Sequence, residues 1–171
     1  MRHDLKISRL RLEPCRLEDI LLVHELWTNS HIRHFLFDER EISLDETRLF
    51  IETSIANFEQ HGYGLWLLFK RDKNRLIGFA GLLHSAENAP NLIYGVHPDF
   101  GGHGYATEAA RAVLDYACET LALPLVKADV DEPNVVSVRV LEKLGMRQTH
   151  RDEAQGRPLL YFEKFGFSRA G

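Results

Sequence analysis

Leu92-Ile93-Tyr94-Gly95-Val96-His97-Pro98-Asp99-Phe100-Gly101-Gly102-His103-Gly104-Tyr105-Ala106 is the stretch on which the reading of this chain turns. An apolar strand feeds a short glycine loop, and a helical run follows to residue 121. Pro98 ends the strand, because proline has no N–H to give to a ladder. Gly101, Gly102 and Gly104 are expected to let the backbone turn sharply and come close to a ligand. A loop that opens a helix gathers backbone N–H groups and the positive end of the helix dipole at one point, which suits a phosphate. The P-loop reading fails because Gly-Lys-Ser/Thr is missing. The dinucleotide fingerprint fits poorly, since Gly102-His103-Gly104 lacks the third glycine.

Outward from this stretch, composition sets bounds. The chain has 171 residues, 44% hydrophobic and 27% charged, with a formal net charge of -4. That describes an ordinary soluble globular protein, long enough for a sizeable core, and one domain over residues 1–171 is expected. The acidic balance gives no global basic field, so no nucleic-acid partner is expected. No apolar run reaches membrane-spanning length and the first residues lack a signal-peptide core, so no membrane partner is expected and the cytoplasm is the simplest location. Cys15 and Cys118 allow one disulfide at most and imply no disulfide framework. Cys118 is read as a small buried thiol.

Taken in order, residues 5–13 read as a first strand, with a slip in the alternation between Ile7 and Leu10, and Pro14 closes it. A helix follows through Ile20, Leu21, Val23, Leu26 and Trp27. Ser43-Leu44-Asp45-Glu46 reads as a capped helix start, with Leu49, Phe50, Thr53, Ile55 and Phe58 on the helix behind it. Strands are expected at residues 65–69 and 76–83 around the turn Arg71-Asp72-Lys73-Asn74. Gly78 and Gly81 weaken the second of these or mark close backbone approach. The fourth strand begins at Leu92, and the helix behind the glycine loop is apolar at Ala110, Val113, Leu114, Ala117, Cys118 and Leu121. A fifth strand at residues 125–131, a helix at about residues 134–144 stopped by Gly145, and a hairpin around Gln155-Gly156-Arg157 complete the chain.

The glycine stretch resembles the acyl-CoA loop of the GCN5-related N-acetyltransferases (GNAT). Val96-His97-Pro98 matches that family's Val-x-Pro, and residues 101–106 match Arg/Gln-x-x-Gly-x-Gly/Ala, with Gly101 where Arg or Gln is usual. The continuation Gly104-Tyr105-Ala106-Thr107-Glu108-Ala109 looks like the RimJ/RimL-like branch, named for acetylation of ribosomal-protein N-termini. A second block, from Asn134 through Ser137, Glu142 and Lys143 to Gly145-Met146, is similar to the family's Asn-x-x-Ser-x-x-x-x-Glu-Lys-x-Gly-Phe. The resemblance implies an α/β fold with a mixed, mostly antiparallel sheet of about seven strands flanked by helices, whose central strands are splayed. It implies acetyl-CoA as cosubstrate, held in the gap like an extra strand.

On that resemblance, Tyr94, Gly95 and Val96 are expected to give the pantetheine arm its backbone partners. The N–H groups of Gly101, Gly102, His103, Gly104, Tyr105 and Ala106 are expected to hold the pyrophosphate. The His103 side chain either adds a phosphate contact or is a solvated loop residue. Asn134 contacts the pantetheine or caps its helix. The N–H of Val96 is expected to polarise the acetyl carbonyl. Alternation on the fifth strand puts Lys127, Asp129 and Asp131 on one face, and Asp129 is the first-choice general base, ahead of Asp131, Glu132 and His97; a solvated strand residue is the competing reading. Many relatives place a tyrosine where this chain has Leu141, which cannot donate. Ser137 is the expected hydrogen-bond donor to the leaving thiolate, against a helix-surface or capping serine. The nine histidines raise a metal site, but His31 and His34 lack companions at a ligand spacing, so none is expected. Phe35, Phe37 and Phe58 are core or acceptor-site wall.

The expected activity is acetyl transfer to a primary amine, a protein or peptide α-amine or a small amine such as a polyamine, by a monomer or homodimer. The helices of residues 17–58 and the C-terminal hairpin are expected to form the acceptor cleft. A non-catalytic acyl-CoA-binding module and a nucleotide-binding enzyme using the same loop remain the alternatives.

Overall fold

The computed structural model describes residues 3–30, 32, 40–86, 89–154 and 156–166. His31, His34, Phe35, Phe37 and Gln155, singled out above, lie outside the described residues. Among the described residues the sheet has eight strands in the order β1-β2-β3-β4-β5-β6-β8-β7. These are β1 (Leu5–Lys6), β2 (Leu10–Pro14), β3 (Leu65–Lys70), β4 (Leu76–Leu83), β5 (Asn91–Val96), β6 (Leu125–Asp131), β7 (Arg147–Ala154) and β8 (Arg157–Phe165). The extra strand comes from residues 5–13. The slip at Ile7 is a reversal, in which Ile7 N–H donates to Leu10 C=O at 3.0 Å and β1 folds back antiparallel on β2. The fourth and fifth expected strands are therefore β5 and β6.

Helices cover both faces. On one face, α1 (Ile20–Thr28) and α2 (Leu44–His61) pack on a core of Val23, Leu26, Trp27, Ile51, Leu65, Leu67 and Phe79. On the other, α3 (Tyr105–Asp115) and α4 (Val135–Lys143) pack on Leu12, Trp66, Leu68, Leu82, Leu92, Val126 and Phe162. The expected capping box is present on α2: Ser43 Oγ accepts from Glu46 N–H at 3.1 Å, and Ser43 N–H donates to Glu46 Oε1 at 3.3 Å. The buried stripe of α2 takes in two polar residues. Thr47, Ile51, Ser54 and Phe58 face inward, whereas Leu49 and Thr53 are exposed. Buried Ser54 is satisfied by accepting from Leu65 N–H at 2.8 Å.

The helix after the glycine loop widens into a π-turn at Tyr116–Thr120, closed by Leu121 N–H donating to Tyr116 C=O at 3.1 Å. That extra residue per turn shifts the apolar stripe, so Ala117 is buried and Cys118 is only partly covered, not fully buried as expected. Both cysteines are free. Gly78 and Gly81 mark close approach: a Cβ on Gly78 would lie 2.3 Å from Gly95 O, and one on Gly81 2.3 Å from Gly64 O. No helix among the described residues is long and apolar enough to cross a membrane.

Candidate active site

The site begins where two parallel strands part. β5 and β6 pair at Asn91↔Lys127, where Lys127 N–H donates to Pro90 C=O at 3.0 Å. Beyond that point, among the described residues, no further pair is registered between them. On its other edge β5 is fully laddered to β4, from Gly78↔Val96 to Leu83↔Asn91.

The direction of each peptide group follows from alternation. Pro90 directs its carbonyl at β6, and His97 directs its N–H at Ile77 O of β4, at 2.8 Å. Even-numbered residues of β5 thus face β6, and odd-numbered ones face β4. Tyr94 and Val96 aim their N–H and C=O groups into the gap. Gly95 does not: its carbonyl is the atom that crowds Gly78. The expectation of a backbone partner from Gly95 is corrected by this register. The lack of a side chain at Gly95 matters instead, since a Cβ there would meet Phe79 Cε1 at 2.7 Å.

The loop after β5 begins with a short 3₁₀ turn, Pro98–Phe100, capped by His97 Nδ1, which accepts from Asp99 N–H at 3.1 Å. Gly101 N–H donates to Pro98 O at 3.1 Å. Gly101 is therefore corrected on two counts: its N–H is engaged in this turn, and its φ of -68° is open to any residue. Gly102 and Gly104, both at φ +78°, are the positions where the left-handed turn requires glycine. Gly104 is the N-cap of α3 and provides no side-chain acceptor, so the first N–H groups of the helix, at Tyr105, Ala106 and Thr107, meet no cap from it. That is the arrangement an anion fills.

Arg9, in the turn between β1 and β2, is a residue the sequence did not single out for this site. Its guanidinium sits 4.5 Å above the Tyr105 ring and its Nε donates to Glu108 Oε2 at 2.7 Å. A Cβ placed on Gly104 would lie 3.5 Å from Arg9 Nη2. A surface cavity of about 550 Å³ runs from here along α3, lined among others by Arg9, Gly104, Glu108, Arg111 and Lys143. A larger one of about 840 Å³, near His3, Cys15 and Phe58, lies at the β1–β2 edge, away from the gap.

The sheet separates the two candidate catalytic side chains. Val126, Ala128 and Val130 of β6 point to the α3–α4 face, so Asp129 and Asp131 point to the α1–α2 face. Asp129 is open to solvent at its surface, but protein crowds round it, and this burial raises its carboxyl pKa above the ordinary value. Its cross-strand neighbour is Tyr161, whose ring stacks on His150 of β7 at 4.4 Å. The other base candidates are engaged: Asp131 pairs with Arg157 at 2.6 Å, Glu132 pairs with Arg151, and His97 caps its turn.

On the opposite face, Asn134 is the N-cap of α4, its Oδ1 accepting from Ser137 N–H at 3.2 Å. The capping alternative for Asn134 is thus realised. Ser137 Oγ lies 2.6 Å from Tyr94 Oη. Leu141 is buried in the core one turn further on. Tyr94 is brought to the site by its side chain as well as its backbone, a link between positions too far apart in sequence for spacing to show.

A mixed sheet with one open internal edge, beside a helix whose N-cap gives no side-chain hydrogen bond, is the arrangement that the resemblance to acyl-CoA-dependent transferases implies. The family model for the GNAT acetyltransferase domain matches residues 9–147. The chain belongs to the GNAT family of N-acetyltransferases. It is 25% identical over 136 residues to spermidine N(1)-acetyltransferase of Escherichia coli K12, covering 80% of this chain and 72% of that one. The crystal structure of a GNAT-family acetyltransferase from Bacillus anthracis superposes with a TM-score of 0.79 at 22% identity, covering 95% and 98% of the two chains. RimL, a ribosomal L7/L12 α-N-protein acetyltransferase solved with coenzyme A, superposes with a TM-score of 0.81 at 16% identity, covering 95% and 98%. GNAT enzymes use acetyl-CoA, and the uncapped α3 terminus with its left-handed glycines fits the phosphates of that cosubstrate.

Proposed function

We propose that this chain acetylates a primary α-amine of a protein or peptide N-terminus, by direct attack of the amine on the acetyl-CoA thioester, in a single domain. The observation that carries the reading is the edge of β5 facing the gap: Tyr94 and Val96 offer backbone groups beside an uncapped helix terminus. The pantetheine arm pairs with that edge as an added strand. The N–H groups of Gly102 to Ala106 hold the pyrophosphate, and Arg9 supplies the cation that Gly101 lacks. Val96 N–H stabilises the oxyanion as the carbonyl becomes tetrahedral.

The acceptor enters from the α1–α2 face, between those helices and the β7–β8 hairpin, where Asp129 and Tyr161 lie. Asp129 takes a proton from the incoming ammonium. A carboxylate is a weak base, and this favours an α-amine, with pKa about 8, over a lysine at about 10.4. The new C–N bond forms first and gives the tetrahedral oxyanion; its collapse then breaks the C–S bond, and Ser137 Oγ–H donates to the departing sulfur on the opposite face.

A polyamine is the second reading, favoured by the likeness to a spermidine acetyltransferase. Release of CoA thiol is the assay. Peptides with free N-termini, the same peptides α-acetylated but bearing lysine, and spermidine are compared at pH 7.5. Turnover confined to free α-amines is expected. Turnover of spermidine alone would replace the first reading with the second, and thiol release with no amine would remove both.

A further inference from the structure

Tyr94 and Ser137 are 43 residues apart, yet their hydroxyl oxygens lie 2.6 Å from each other. Tyr94 Oη also lies 3.1 Å from the Ser137 carbonyl. A tyrosine has one proton to donate, so two arrangements compete. In the first, Ser137 donates to Tyr94 and Tyr94 donates to the Ser137 carbonyl; the serine proton is then engaged. In the second, Tyr94 donates to Ser137 Oγ, and the serine proton is released to point into the gap. An acceptor in the gap selects the second, because Ser137 Oγ then both accepts from Tyr94 and donates to that acceptor, and chained hydrogen bonds reinforce one another.

The surroundings hold this pair in place. Asn134 fixes Ser137 through its N–H. The Tyr94 side chain packs against the α3–α4 core. Burial pushes the Tyr94 phenol up to about 12, against the smaller opposing effect of its bond with Ser137, so it stays a donor through the working range. Leu141, one turn further along this helix, is fully buried and has no hydroxyl to lend.

We infer that Tyr94 is a positioning residue, whose hydroxyl donates to Ser137 Oγ and turns the Ser137 proton toward the sulfur leaving acetyl-CoA. This inference rests on the acetyl-transfer reading of the site. The electron pair of the C–S bond departs on sulfur, which accepts the Ser137 hydrogen bond and takes its proton from solvent. The proton released by the amine passes through Asp129 to solvent. Neither hydroxyl is consumed.

The test measures kcat and the acetyl-CoA Kd for wild type, Tyr94→Phe, Ser137→Ala and the double variant. Phenylalanine keeps the ring and its packing. Tyr94→Phe is expected to lower kcat about tenfold and to leave Kd within about twofold. In the Ser137→Ala background it is expected to have no further effect, because the group it positions is gone. Ser137→Thr keeps a hydroxyl, and sensitivity to Tyr94→Phe is expected to return with it. An unchanged kcat in Tyr94→Phe, or an equal fall in both backgrounds, would overturn the positioning role while leaving acetyl transfer intact. A wild type that binds no acetyl-CoA would overturn acetyl transfer and this inference with it.

Discussion

The two edges of β5 differ in everything but their sequence. Toward β4 the strand is paired along its length, from Gly78↔Val96 to Leu83↔Asn91. Toward β6 it is held at Asn91↔Lys127 and then parts from its neighbour. Backbone groups on the first edge stabilise the fold. Those on the second face an open gap, beside a helix whose N-cap, Gly104, has no side chain to satisfy it. Adjacent residues therefore meet different neighbours: Gly95 is laddered to β4, and Val96 faces the gap.

Proline separates the two edges most sharply, because it deletes one N–H. Val96→Pro removes an N–H aimed into the gap and is expected to lower kcat by about 10²–10³-fold, with the protein still folded. Gly95→Pro removes an N–H laddered to β4 and sets a Cβ 2.7 Å from Phe79 Cε1, and is expected to lower the melting temperature well below that of Val96→Pro. Melting curves and initial rates on the pair check this. Similar melts and rates in both variants would break the distinction between the edges.

A smaller effect is expected at Asp129, across the sheet from Ser137. Asp129→Asn should lower kcat/KM by about 10²-fold at neutral pH, at the low end for a general base. In the wild type the acid limb of the rate profile should lie above the ordinary carboxylate range, because burial raises this pKa. The sign for stability is opposite to that of a paired carboxylate. The folded state binds the proton more tightly than the unfolded chain, so stability falls as pH rises from the unfolded pKa through the folded one. Above that window Asp129→Asn should melt higher than wild type. A variant that loses rate and also melts lower would mark Asp129 as structural.

The loop is expected to show milder changes. Arg9→Ala should weaken CoA binding about fivefold, more at low ionic strength than at high. Gly101 is already at φ -68°, and a Cβ there would lie 3.4 Å from Pro98 O, so it accepts a side chain. Gly101→Gln should tighten CoA binding about threefold, by restoring a hydrogen bond toward the phosphates. Equal CoA affinity in Arg9→Ala and wild type would move the phosphates away from Arg9.

Much of the sheet was legible because its signals are local. Ser43 and Glu46 announce the start of α2, and Arg71 to Asn74 the β3–β4 turn. The phase of α2 was not legible, because Thr47 and Ser54 are buried polar residues satisfied by partners that sequence does not display, while Leu49 is left exposed. The slip at Ile7 was visible, but its meaning as a reversal needed the Leu10 carbonyl. The position of Cys118 depended on a π-turn, which has no sequence period of its own. At the site, residue types and order were readable, but directions were not. Which of Tyr94, Gly95 and Val96 faces the gap depends on which neighbour each edge meets. That Tyr94 touches Ser137, or that Arg9 lies over Tyr105, depends on tertiary packing alone.

The measurement that bears most directly on the open edge of β5 is calorimetric binding of acetyl-CoA and CoA to the wild-type protein, with NAD and ATP as controls, repeated on Val96→Pro. CoA-selective binding by the wild type is the expected result, with acetyl-CoA losing more affinity than CoA in Val96→Pro because that N–H faces the acetyl carbonyl. Absence of CoA binding, equal binding of ATP, or undiminished acetyl-CoA affinity in Val96→Pro would contradict the assignment of that edge to the cosubstrate.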